Sequence, residues 1–188
     1  MSALFLALAY VPFIHGTING SVIPNRASWI VWFMQDCLIT ASAVMTGVGE
    51  AIVMPVIWLI GTGIVMCLSL KQGTRDSFNT LEKFCMGLSF VGILLSIAMN
   101  NPRFALIAGI TASCIGGLPT TFKAWAKPWT EPLTGWLLFF AGTILNALAV
   151  TTWTFDSGFL IIVAAFFQII LLLPLLYYKL FTTGKKRC

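Results

Sequence analysis

Charge is the scarcest feature of this chain. Only 9% of its 188 residues are Asp, Glu, Lys or Arg, divided into 6 acids and 11 bases, with a single histidine. Soluble domains carry about a quarter charged residues, so a water-facing shell of ordinary composition is excluded. Six acids and one histidine also leave little from which to build a hydrolytic centre. There is no HExxH, no GxGxxG, no P-loop and no serine-triad pattern. The cysteines Cys37, Cys67, Cys85, Cys114 and Cys188 make no CxxC pair and no histidine-flanked cluster. Those inside the apolar runs, Cys37, Cys67, Cys85 and Cys114, read as small core residues, and neither a metal nor a cofactor nor enzyme activity is expected. The opening segment MSALFLALAYVPF lacks a basic n-region and a small-x-small cleavage site, and the first basic residue, Arg26, lies beyond it. It is expected to stay as a membrane helix rather than to leave as a signal peptide.

What the chain does have is apolar sequence. Hydrophobic residues make up 59% of it, in unalternating runs of about the twenty residues that a helix needs to cross a bilayer. Barrel strands would be about half as long and would alternate in polarity. Lipid admits only helices or closed barrels, because unpaired backbone groups are too costly there. The runs therefore predict seven spans, at 3–17, 28–45, 51–70, 81–99, 104–122, 133–152 and 157–180, separated by polar breaks such as SVIPNR, KQGTRDSFNT and KAWAKPWTEP. Threading the chain through them puts all the basic residues but one on the side opposite Met1, leaving Arg103 alone on the other. By the positive-inside rule the amino end is outside and the carboxyl end, with its KKRC tail as an anchor, is cytoplasmic.

The sequence also repeats. Shifted by 107 residues, Pro12 meets Pro119 and Trp29 meets Trp136 without a gap; Glu50 falls within one residue of Asp156. In each block a proline closes an apolar run, a polar loop follows, and a tryptophan opens the next helix, as WIVWF and as WLLFF. The expected fold is all-α and integral to a membrane: seven transmembrane helices as two parallel three-helix repeats, residues 1–70 and 104–188, joined by a loop and linker helix over 71–103. An odd number of crossings between the units gives them the same orientation.

On these residues, above all Pro12 to Trp29 and LPTTFKAWAKPWTEPLTGW, the chain resembles the PQ-loop and SWEET superfamily of small transporters. That resemblance implies a 3 + 1 + 3 plan with the amino end outside, and a transport function. Pro12-Phe13 and Pro119-Thr120 stand where the namesake motif has Pro-Gln, and the second helix of each unit lacks the SWEET proline. The resemblance thus speaks to fold and leaves the substrate open.

Asp36 is the sharpest single signal, about nine residues into its span. An ionised carboxylate at that depth costs at least a few kcal/mol and points by default to function, here substrate binding or proton coupling. Asn146 falls on Ile39 under the same shift, one turn from Asp36, so both are expected to face one central cavity; Gln35 and Thr143 are weaker candidates of the same kind. Trp32 and Trp58 sit inside their spans and are candidates to line that cavity, where an indole stacks on a sugar or a cation. Trp29, Trp125, Trp129, Trp136 and Trp153 read instead as interfacial belts. His15 is a candidate proton relay. Pro12 and Pro119 are candidate hinges or helix terminators.

The reading that follows is a transporter of a small polar molecule, working by alternating access in a bacterial inner membrane. Its partners would be that molecule and lipid, with no nucleic acid and with room for a homo-oligomer. The competing readings are a membrane-embedded enzyme or lipid-handling protein, and a structural or assembly subunit.

Overall fold

The computed structural model of the protein describes residues 2–46, 53–74, 78–98, 102–151, 153 and 155–181. Glu50, Arg75 and the basic tail at 182–188 lie outside the described residues. Among those described there are seven α-helices and no strand: α1 Ser2–Ile18, α2 Arg26–Thr46, α3 Val53–Gln72, α4 Thr80–Ala98, α5 Pro102–Ala126, α6 Leu133–Ala149 and α7 Phe155–Phe181, with a 3-10 turn at Pro128–Thr130 before α6. Each helix coincides with one apolar run.

Two prolines do not end their helices. α1 continues through Pro12 to Ile18 and α5 through Pro119 to Ala126, which corrects the terminator reading. A proline removes one N–H and crowds one carbonyl, and the packing around Pro119, itself buried, holds the helix together across that gap. The segment KAWA, expected as loop, therefore forms the last turn of α5.

Helix ends at one end of the bundle are tied down by polar side chains. Asn25 caps α2, its side-chain oxygen accepting the Ser28 N–H at 3.1 Å. Asn79 and Glu82 make a reciprocal capping box at the start of α4, with distances of 2.8 and 2.9 Å. The same Glu82 accepts the Asn25 amide at 2.6 Å, so one carboxylate joins the start of α4 to the α1–α2 connection. Arg26 lies over the Phe78 ring at 5.1 Å in the same place.

The helices pack in a repeating order. α3 packs along both α1 and α2, whose backbones stay apart, and α7 packs along both α5 and α6, whose backbones likewise stay apart, among the described residues. Between the triplets, α1 packs on α6 and α2 on α5. Exchanging α1, α2 and α3 for α5, α6 and α7 maps this set of contacts onto itself. α4 stands outside that exchange and packs on α5 and α2.

The interior is aromatic and aliphatic: Tyr10, Phe13, Trp29, Val65, Trp136 and Leu171 form one cluster drawn from both triplets. The outside is apolar too. Leu4, Leu8 and Val11 of α1, Phe84, Leu88, Val91 and Leu95 of α4, and Ile162, Phe166, Leu173 and Leu180 of α7 are all exposed. By length and composition one described helix, over Ile161–Phe181, is long and apolar enough to cross a membrane; Ala3–Ile18, Val56–Gln72 and Leu133–Ala149 are apolar but shorter. A helix of 17 residues, such as α1 or α6, rises about 25 Å.

Candidate functional site

The stretch WIVWFMQD in α2 sets the site. Trp29, Trp32, Asp36 and Ile39 recur at intervals of three and four residues, which places them on one helix face. That face lines a cavity of about 240 Å³. Tyr10 of α1, Trp58 and Thr62 of α3, Ser113 of α5, Trp136 and Phe139 of α6, and Phe167 and Gln168 of α7 complete the walls. All six helices of the two triplets contribute, and α4 contributes none.

Asp36 and Gln35 are buried, with 9% and 7% of their surfaces exposed. The Asp36 carboxylate accepts the Thr62 hydroxyl at 2.8 Å, a link between α2 and α3. Thr62 is also within 2.7 Å of the Trp58 carbonyl, so its single proton is shared between a helical carbonyl and the carboxylate. Trp32 donates its indole N–H to the Ser113 carbonyl at 3.1 Å. That bond crosses from one triplet to the other and fixes the ring against α5. The side-chain oxygens of Gln35 and Gln168 are buried without a partner, a cost of about 1–3 kcal/mol each while nothing donates to them.

At the end of the bundle where α1 joins α2 and α5 joins α6, the cavity is floored by rings. Phe13 sits edge-on to Trp29 and to Trp136, with centroids 5.2 Å away in both cases, and Trp32 stands edge-on to Trp29 at 5.2 Å. Beneath this floor lies a polar clasp. Trp136 donates its indole N–H to Glu131 at 3.0 Å. The other Glu131 oxygen lies 2.6 Å from the Lys123 ammonium, the two side chains being 1% and 11% exposed. Lys123 in turn donates to the Ile23 carbonyl, and the Ile23 N–H donates to the Thr130 carbonyl at 3.0 Å. One ion pair in the second triplet thus grips the loop of the first. Ser28 adds a second crossing, accepting the Thr120 N–H at 3.2 Å beside Pro119.

The two halves differ in how they fill the walls. Tyr10 of α1 lies over Gly61 of α3, so close that a β-carbon there would overlap its ring; in the second half Gly117 of α5 lies under Phe167 of α7 and Trp32. The bulky partner is on the first helix in one triplet and on the third in the other, at nearly equivalent repeat positions.

Of the residues singled out from the sequence, Asp36, Gln35, Trp32 and Trp58 line this cavity. Asn146 and Thr143 are not among its lining residues, which corrects their placement. Gly142, one residue before Thr143, is where Leu6 of α1 closes onto α6, so the cavity ends on this side at Phe139, and the Thr143 hydroxyl turns back to the Phe139 carbonyl at 3.1 Å. His15 is exposed near the end of α1, within 3.2 Å of the Asn19 amide, and does not reach the cavity. Pro12 and Pro119 lie inside their helices, away from the lining.

Trp29 and Trp136 are corrected as well: at 1% and 5% exposed they are floor residues, not surface belts, whereas Trp125, Trp129 and Trp153 are exposed. Cys37 and Cys67 are exposed rather than core, Cys85 is buried and Cys114 lines the cavity. Sequence reasoning missed Gln168, although an amide in the run AAFFQIILLL carries the same signal as Asp36. It also missed the Lys123–Glu131 pair, which took the fold to bring together. No family model, curated protein or solved structure matches the chain.

Proposed function

We propose that the protein is an integral membrane transporter that moves a small polar molecule by alternating access between its two helix triplets. The observation that carries this reading is the cavity: it lies between the triplets, takes walls from all six of their helices, and holds a carboxylate that lipid-facing packing alone does not require. Two helix units meeting at a central polar site are the arrangement that rocking about a fixed site needs. The exchange symmetry of the helix contacts agrees with parallel repeats and with the likeness to the PQ-loop and SWEET plan. Broad exposed apolar faces on α1, α4 and α7 exceed what a water-soluble monomer ordinarily shows and suit a lipid surround, with the basic residues directed to the cytoplasm.

The aromatic floor and the Lys123–Glu131 clasp give the closed end of such a cycle a physical basis. Opening that end would separate the Trp29, Phe13 and Trp136 rings and release the Ile23 carbonyl from Lys123. The test is transport by purified protein in sealed vesicles. Counterflow of radiolabelled sugars, amino acids, nucleosides and vitamins, paired with a thermal-shift screen of the same compounds, should find a ligand that both stabilises the protein and is exchanged. A screen in which no compound enters protein-containing vesicles faster than empty ones refutes the proposal.

A further inference from the structure

The lining of the cavity is one-sided in charge. Asp36 supplies a carboxylate, and no Lys, Arg or His stands among the described lining residues to balance it. The unpartnered buried side-chain atoms along the same walls are the carbonyl oxygens of Gln35 and Gln168, both hydrogen-bond acceptors. The strongest donors nearby are already engaged: the Trp32 indole gives its proton to Ser113, the Trp136 indole to Glu131, and the Thr62 hydroxyl to Asp36 or Trp58. Ring surface from Tyr10, Trp58, Phe139 and Phe167 and aliphatic surface from Ile39, Ile110 and Ala164 make up much of the rest. The lining residues Tyr10, Trp58, Gln35 and Gln168 also carry O–H or N–H donors.

Resting on the transport reading above, we infer that the substrate is an organic ammonium: a compact cation with N–H donors on an apolar body. Its N–H groups would be accepted by Asp36 and by the Gln35 and Gln168 carbonyls. The ring surfaces would hold both its charge, through their electron-rich faces, and its carbon skeleton. An anion is disfavoured because it would bring a second negative charge beside a desolvated carboxylate. A neutral solute would leave that carboxylate buried without a compensating charge. The volume of about 240 Å³ is roughly eight waters' worth, smaller than a typical drug-sized site, and matches a cation of modest size.

The experiment compares three probes with one carbon skeleton and different heads: 2-phenylethylammonium, 2-phenylethanol and phenylacetate. Binding is measured by titration calorimetry on the full chain in lipid nanodiscs at neutral pH. The ammonium is expected to bind at least ~10-fold tighter than the alcohol, the difference a charge-assisted hydrogen bond supplies, and phenylacetate is expected not to bind. Asp36→Asn should erase the preference for the ammonium over the alcohol, and Gln168→Leu should weaken the ammonium alone. The head-group ranking on the unaltered protein stands even where a variant folds poorly. Equal binding of ammonium and alcohol, tighter binding of phenylacetate, or no binding of the ammonium overturns the inference. Vesicle counterflow separates that failure from the failure of the transport reading. Exchange of a neutral or anionic solute that 2-phenylethylammonium does not inhibit keeps transport and removes the cation, whereas no exchange of any solute removes transport itself.

Discussion

A carboxylate in an apolar cavity can serve as a structural link, a charge partner or a proton carrier, and Asp36 has a partner that makes the first role testable. Its bond to Thr62 spans α2 and α3. If that link were the whole purpose, Asp36→Asn would preserve it, because an amide oxygen accepts from a hydroxyl as a carboxylate does. The expected outcome is different: the D36N protein folds, and uptake into proteoliposomes driven by a pH gradient falls at least ~10-fold, the loss of one charge-assisted interaction. Retained exchange under equal pH on both sides would assign Asp36 to proton coupling, and loss of both to substrate binding. Unchanged rates under every condition would return it to a packing role. Gly117 is the second residue whose reason is local. A methyl group there overlaps Phe167 and comes within 2.9 Å of Trp32, and both rings are held by their neighbours. Gly117→Ala should therefore cost about 1–3 kcal/mol from overpacking, read as a lowered unfolding temperature. An unchanged temperature would mean that the α5–α7 contact has slack.

Among the elements, the connection from α5 to α6 does more than join two helices. Lys123 stands in the last turn of α5 and Glu131 one residue before Pro132, the cap of α6; the 3-10 turn between them folds the chain back so that the two meet. Because both are nearly buried, removing one charge leaves the other uncompensated, at a cost of about 3–5 kcal/mol. Lys123→Met and Glu131→Gln are each expected to lower the unfolding temperature, and the double variant to lose less than the two singles combined, since the stranded charge is gone. Additive losses in the double variant would show that the pair is not coupled. This clasp was invisible in the sequence. KAWAKPWTEP reads as an ordinary basic, proline-bearing break, and only the turn at Pro128–Thr130 makes a pair of two residues eight apart. The helices themselves were legible, because unalternating apolar runs of about twenty residues fit the length of a helix and not the length or period of a strand. Asp36 was legible for the same reason inverted: a charge in such a run stands out. Asn146 misled because the 107-residue shift does not carry over to the cavity, which extends along α2 to Ile39 and along α6 only to Phe139.

At the scale of the whole molecule, the charge asymmetry and the helix order make a joint demand. If seven helices alternate in direction across a bilayer, the residues after α1 and after α6 must lie on opposite sides. Asn19 follows α1 and Thr151 follows α6; both are exposed and neither lines the cavity. The basic residues Arg26, Lys123 and Lys127 share the Asn19 end of the bundle, where Lys123 reaches the Ile23 carbonyl. Positive residues near helix ends favour the cytoplasmic face, so that end is expected inside. In a background with the five native cysteines replaced, N19C should react with a membrane-impermeant maleimide only after the cells are opened, and T151C should react on intact cells. The two sites are separated by five helices, so a pair of helices that failed to cross would leave their relation unchanged. The failure of one helix alone would put them on the same face, and α6, with 17 residues and a rise of about 25 Å, is the one whose crossing most needs the bilayer to thin around it. Labelling of both from one side would therefore remove the alternation of seven crossings on which parallel repeats, and with them a cavity shared between two triplets, depend.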